Sequence, residues 1–210
     1  MHLALIALLA AALASPKVKA PAPAQTIGLA QQGVGLAVGT PAPTGLMAQN
    51  LRSEPVPLDK VFAAGPTLVV FYRGGWCPYC NGQLRDLSLA ARRFQAKGVR
   101  LVAISVDRPD AAATTQAAWE IPFPVLSDSD LTAHEAFRVV FEVDEATRET
   151  YRGWGIDLKA ASGRSDGRIA VPAMFLVQGG AVTWSHADPA YKVRPTPDQV
   201  LDALSAAGLP

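Results

Sequence analysis

The sequence predicts an α/β domain, a mixed β-sheet flanked by helices, and three observations carry that prediction. Two continuous apolar runs, PTLVVFY at 66–72 and VRLVAISVD at 99–107, read as strands buried on both faces. Each is followed by a segment of helical character. Near the C-terminal end, AMFLVQGGAVTWSH (173–186) sets two strand-like runs around Gly179-Gly180, a hairpin signal. Strands that alternate with helices and finish in a hairpin and a helix describe a mixed sheet.

The elements follow in order. After the first strand, NGQLRDLSLAARRFQAKG places Leu84, Leu87, Ala91 and Phe94 at helical spacing, with Gly98 as the stop. After the second, PDAAATTQAAWE opens on Pro109, suited to the first helical turn. FPVLSD reads as a short strand or turn, and Asp128 or Ser129 is placed to cap a helix in DLTAHEAFRVV. Residues 142–168 are polar and glycine-containing with no clear period, and read as an insertion or long loop. TPDQVLDALSAAG closes the chain with an apolar stripe of helical period.

The N-terminal part reads differently. MHLALIALLAAALAS is an apolar run of secretory length ending in an Ala-x-Ala pattern, so residues 1–14 are expected to be a signal peptide or an N-terminal apolar segment. A cleaved leader implies a periplasmic or secreted protein, and an uncleaved one a cytoplasmic protein. Residues 15–38, rich in Ala, Pro, Gln and Gly, read as a tether, and residues 39–210 as the folded domain. Nineteen Lys and Arg against eighteen Asp and Glu leave a net charge of +1 without a basic run, which gives no field to recruit nucleic acid or an anionic membrane.

Both cysteines of the chain, Cys77 and Cys80, lie in FYRGGWCPYC, directly after the first strand. A staple is a poor use of this spacing, since closing so short a loop removes chain entropy worth only about 2 kcal/mol. A zinc site needs four ligands, and His134 and His186 lack partner spacing. Redox chemistry fits the position. With a helix starting near Pro78, Cys77 sits where unpaired N–H groups and the helix dipole favour a thiolate. Lowering a thiol from a pKa of about 8.5 to about 7 raises its thiolate fraction at neutral pH more than tenfold. Arg73 adds positive charge there or is a solvated surface residue, and Trp76 is a packing lid or a substrate contact.

The Cys-x-x-Cys pair between strand and helix resembles the thioredoxin superfamily, and Val171-Pro172-Ala173-Met174-Phe175-Leu176 resembles its second signature, a cis-proline beside the dithiol. The longer resemblance is to the peroxiredoxin-like branch, the AhpC/TSA family, through VGTPAPTGLMAQN, FYRGGWCPYC, ISVDRPD, FPVLSD and ADPAYKVR. It implies a thioredoxin-like fold, no cofactor and no metal. It also implies an antioxidant thiol oxidoreductase that reduces hydroperoxides with electrons from a thioredoxin-like donor, and dimerisation is common in such folds. The family's Pro-x-x-x-Thr-x-x-Cys pattern falls here with Arg73 at the Pro position, Cys77 at the Thr position and Cys80 as the peroxide-reacting cysteine. The family's distant Arg falls on Pro172. The thioredoxin pattern instead makes Cys77 the attacking thiol and Cys80 the resolving one, and a disulfide substrate then replaces the hydroperoxide. A redox-sensing binding module is the third reading.

Overall fold

A computed structural model describes residues 33–206 and 208. The leader and most of the tether lie outside the described residues. Val34 packs against the core, Gly35 N–H donates to the Arg138 carbonyl (2.9 Å), and Leu36 is buried.

The central sheet has seven strands in the order β2-β1-β5-β4-β3-β8-β9. Its middle is β3 (Thr67–Phe71), β4 (Arg100–Ser105) and β5 (Val125–Ser127), paired in parallel. β8 (Ala173–Gln178) lies antiparallel to β3, and β9 (Ala181–Ala187) antiparallel to β8. β1 (Met47–Gln49) and β2 (Pro55–Pro57) extend the other edge, with helix α1 (Leu58–Ala63) directly after them; none of these three was marked by a sequence pattern.

Period-two alternation divides the core between the two faces. Leu68, Val70 and Tyr72 point to one face. There they meet Leu84, Leu87 and Phe94 of α2 (Pro78–Ala96), Ala112 of α3 (Pro109–Ala118) and Leu201 and Leu204 of α7 (Pro197–Ala206). Val69 and Phe71 point to the other, against Leu58, Phe137 and Phe175. The hairpin, the start of α2 at Pro78 and the helix from Pro109 stand where the sequence placed them. The free edge of β9 is partly covered by the chain around Thr40, through Gly39 N–H to the Val182 carbonyl and Val182 N–H to the Thr40 carbonyl (2.8 and 2.9 Å).

Two expectations are corrected. α4 (Thr132–Ala136) has Leu131, not Asp128 or Ser129, as its N-cap; Asp128 still satisfies the helix start from upstream, accepting the N–H groups of Ala133 and His134. Residues 142–168 are not a structureless loop. They contain α5 (Glu145–Gly153) and α6 (Leu158–Ser162), bracketed by the hairpin of β6 (Val140–Glu142) and β7 (Arg168–Ala170). Asp144 and Asp157 cap the two helices, accepting from Thr147 N–H and Ala160 N–H (2.8 and 3.0 Å). A small separate core of Val106, Leu131, Val143, Tyr151, Leu158 and Ile169 holds the unit down. Its apolar residues are too sparse to show a period, because only Tyr151 of α5 is buried.

Candidate active site

The site forms where β3 hands the chain to α2. Tyr72 N–H still donates to the Ile104 carbonyl of β4 (3.0 Å), and the chain then turns through Arg73-Gly74-Gly75-Trp76. Gly74 takes φ +146°, and a side chain there would collide with Trp76 Nε1. At Gly75 a Cβ would fall onto the Thr115 hydroxyl, so both glycines are steric requirements of the turn. Gly75 N–H donates to Asp107 Oδ2 (2.8 Å), and Asn81 Nδ2 donates back to the Gly75 carbonyl (2.8 Å).

Cys77 is the extended N-cap of α2, and Pro78 occupies the first turn. Its carbonyl accepts from Cys80 N–H and Asn81 N–H, both 3.0 Å. One turn on, Cys80 points back toward the sheet, where its Sγ accepts from the Arg73 backbone N–H (3.4 Å). Both thiols are free, and both are buried.

Two guanidinium groups serve the pair. Arg73, only 4% exposed, puts Nη1 3.8 Å from Cys77 Sγ and donates from Nη2 to the Tyr151 hydroxyl (2.7 Å). It lies between aromatic faces, 4.2 Å from the Tyr191 ring centroid, 4.9 Å from that of Trp76 and 5.9 Å from that of Tyr151. Arg194 reaches from the segment after β9, with Nη2 3.4 Å from Cys80 Sγ, Nη1 on Gln83 Oε1 (2.6 Å) and Nε on the Tyr191 carbonyl (2.7 Å). Tyr191 and Arg194 thus form a strap over the dithiol.

This geometry separates the two thiols. A hydrogen bond from Cys80 does most to stabilise the Cys77 thiolate, Arg73 adds its charge, and Cys77 falls to a pKa of about 6 despite burial. Cys80, fully enclosed, is pushed the other way, chiefly by burial and then by its neighbour Cys77. At neutral pH the pair holds one thiolate and one thiol. Asp107 at the end of β4 is raised to about 7, mainly by burial.

Of the residues the sequence singled out, Cys77, Cys80, Arg73, Trp76 and Pro78 meet in one cluster. Arg73 is not a solvated surface residue, because Tyr151 and Tyr191 enclose its charge. Trp76 packs against Tyr151 (5.8 Å) and Arg73 as part of that enclosure. Pro172 lines a small cavity of about 20 Å³ with Arg73, Phe141 and Tyr191. The cis-proline that the resemblance implied is absent, since no cis peptide occurs among the described residues. The preceding Val171 N–H is fixed on the Val139 carbonyl (2.7 Å), and the X–Pro bond keeps the trans form that it favours by about 0.5–1 kcal/mol. His134, weighed as a zinc ligand, is instead committed to Asp128 (Nδ1 to Oδ2, 2.5 Å) in the core on the opposite face of the sheet.

The sequence reading missed Tyr151, Gln83, Asp107, Tyr191 and Arg194. The last two stand in ADPAYKVR, whose resemblance to the family was the available signal; the distant Arg expected at Pro172 has no guanidinium there, and Arg194 supplies one from 22 residues further on. Tyr151 lay in the stretch read as a loop.

Comparison with known proteins agrees with this architecture. Prx3 of Vibrio vulnificus, solved reduced with H2O2, superposes with a TM-score of 0.65 at 19% identity, covering 80% of this chain and 99% of its own. Peroxiredoxin Q of Xanthomonas campestris gives 0.59 at 20% identity, over 81% of this chain and 95% of its own. At such identities the likeness speaks for the fold, which is that of thioredoxin-like peroxiredoxins. Two curated Mycobacterium tuberculosis relatives, provisionally named as peroxiredoxins, are 37% identical over 73 residues, which is 33% of this chain. The match spans about half of their length, 46%. The AhpC/TSA family model matches residues 38–182, more than half of the sequence and the whole of the site except the strap, and the chain belongs to that family.

Proposed function

We propose that the protein is a thiol peroxidase that reduces hydroperoxides through a Cys77/Cys80 dithiol–disulfide cycle. The observation that carries this reading is the split pair: a Cys77 thiolate at the start of α2, lowered to about 6 with Arg73 Nη1 at 3.8 Å, beside a protonated Cys80. The thiolate is the nucleophile toward a peroxide O–O bond. The Cys77 sulfur bonds the near oxygen, the O–O bond breaks, and the alkoxide or hydroxide departs to be protonated. Guanidinium groups next to the sulfurs oppose the negative charge that builds on the leaving oxygen. The Cys77 sulfenic acid then condenses with Cys80, releasing water and leaving the Cys77–Cys80 disulfide. A reduced thioredoxin-like dithiol protein restores both thiols by exchange. Neither cofactor nor metal enters the cycle. A homodimer is the assembly that family membership favours. Export to the periplasm or beyond goes with cleavage of the leader, and a cytoplasmic site with its retention.

One observation favours a second reading, disulfide oxidoreduction. The first cysteine of the Cys-x-x-Cys pair is the lowered one and the second the raised one, the order in which attack on a disulfide and release from the mixed disulfide would use them. Stopped-flow reaction of the reduced protein with H2O2, followed by tryptophan fluorescence, separates the two. The peroxidase reading expects a reaction orders of magnitude faster than that of a free thiol, abolished in Cys77→Ser. Cys80→Ser should keep the fast phase and accumulate sulfenic acid. A peroxide rate no better than that of a free thiol, with fast oxidation by a model disulfide, replaces it with the second reading. A fast phase lost only in Cys80→Ser would make Cys80 the attacking residue.

A further inference from the structure

We infer that Asp107 is the proton acceptor for Cys80 in the resolving half of the cycle, the step in which the Cys80 sulfur bonds the Cys77 sulfur. This rests on the assignment of Cys77 as attacking and Cys80 as resolving thiol, and it addresses the difficulty that the assignment creates. Cys80 is fully buried as a thiol and must lose its proton to become a nucleophile.

Asp107 is placed for that task. It is 1% exposed, at the end of β4, against the turn that holds the dithiol. One oxygen, Oδ2, is taken by Gly75 N–H (2.8 Å). The other, Oδ1, is buried without a hydrogen-bond partner and sits 2.7 Å from where a Gly74 side chain would be. The residue before Gly74 is Arg73, whose backbone N–H touches Cys80 Sγ at 3.4 Å. The free oxygen and the resolving sulfur thus adjoin successive residues of one turn. A buried carboxylate oxygen left unpaired costs free energy. Its place on the turn that also carries the Cys80 sulfur, within electrostatic reach of a thiol that must give up a proton, supplies a use for it.

The surroundings fit. Burial raises Asp107 most, the Gly75 amide and the Ser105 hydroxyl oppose it, and the Cys80 charge on α2 raises it further. Tyr72, at the end of β3, is raised in turn by burial and by the Asp107 charge. Asp107 therefore titrates near neutrality, where it can both take and return a proton. In the sulfenic acid reaction it takes the Cys80 proton while the S–S bond forms, and gives it to the departing hydroxide as water. In a mixed disulfide it keeps the proton while the leaving thiolate departs.

The second case supplies a test without peroxide. Reduced protein is mixed with 5,5′-dithiobis(2-nitrobenzoate) in a stopped-flow instrument. Attack by Cys77 releases one nitrothiobenzoate anion, and attack by Cys80 on the mixed disulfide releases the second. Asp107→Asn keeps an acceptor for Gly75 N–H and removes the base. The second release should slow about tenfold or more at pH 7 and lose its inflection near neutrality, while the first release stays within about twofold. An unchanged second release and pH profile would overturn the assignment. A parallel loss in both steps would also overturn it, by showing a merely structural role. The wild-type profile is a variant-free check, since a second release that climbs without inflection from pH 6 to 9 excludes a base of this kind. Because no peroxide is used, failure here and failure of the peroxidase reading are distinguishable.

Discussion

Replacing Arg73 by Met tests the electrostatics that the site depends on. Met fills much of the same space between Trp76 and Tyr191 and removes only the charge and the donors. At 3.8 Å from Cys77 Sγ, with an effective dielectric constant of about 20, a full ion pair is worth about 4 kcal/mol, or about three pKa units. That is a ceiling. The Cys80 hydrogen bond is the larger cause of the lowered Cys77, and Arg194 stays in place. About half of the ceiling is expected, a rise of about 1.5 units from the wild-type value of about 6. At pH 7 the Cys77 thiolate would fall from about nine-tenths of the population to about one-quarter. Ionisation alone then slows reaction with any electrophile about fourfold. The assay is the pH dependence of thiolate absorbance and of iodoacetamide alkylation, read on folded protein. If Cys77 in the variant titrates within about 0.3 unit of wild type, Arg73 does not stabilise the thiolate and the reasoning fails.

The other predictions concern the groups around this pair. Tyr151→Phe removes the hydroxyl on Arg73 Nη2 and leaves a buried guanidinium donor unpaired, so stability to urea should fall by about 1–3 kcal/mol and Cys77 should titrate higher. Gly75→Ala drives a methyl group onto the Thr115 hydroxyl, with Thr115 Cβ 3.1 Å away, and should lower the melting temperature steeply. Gly75→Ala with Thr115→Ala should recover part of the loss, giving a coupling energy that additive effects would not. Asp107 is raised from 3.8 to about 7, so its contribution to stability is fully present below pH 3.8 and is lost as pH rises through about 7. Asp107→Asn should therefore be more stable than wild type at pH 8, by on the order of 4 kcal/mol, with a smaller difference at pH 5, as thermal unfolding at the two pH values would show.

What the sequence made legible follows from how far each signal reaches along the chain. The strands β3 and β4, the start of α2 at Pro78 and the Gly179-Gly180 hairpin are local patterns, and each stands as read. The cysteine pair was legible because its two members occupy one helical turn. Tyr151, Tyr191 and Arg194 are 78 to 121 positions beyond Arg73; Tyr151 carries no motif, and the resemblance of ADPAYKVR gave Tyr191 and Arg194 no role. Only folding brings α5 and the strap to the guanidinium and the sulfurs. For the same reason the sequence could not decide whether Arg73 faced water: its burial depends on rings contributed from two distant segments.

The departures from the family's usual residues look different once the strap is in place. The Thr position of the peroxidase pattern holds Cys77, and the expected Arg position holds Pro172, which would leave the site without its ionising groups. The fold supplies those groups from other places: the helix terminus and the Cys80 hydrogen bond act on Cys77, and two guanidinium groups face the two sulfurs. Cys77 is lowered below an ordinary thiol, so its contribution to stability is complete only above the ordinary thiol pKa and is lost as pH falls through about 6. Asp107 works in the opposite sense, losing its contribution as pH rises through about 7. Between these two values Cys77 is largely thiolate while Asp107 is still divided between its two forms. That is the interval in which a nucleophile and a proton acceptor are available together. It is also where most of the stability that either shifted group can contribute has been given up, so the reactive state is held at the expense of the fold.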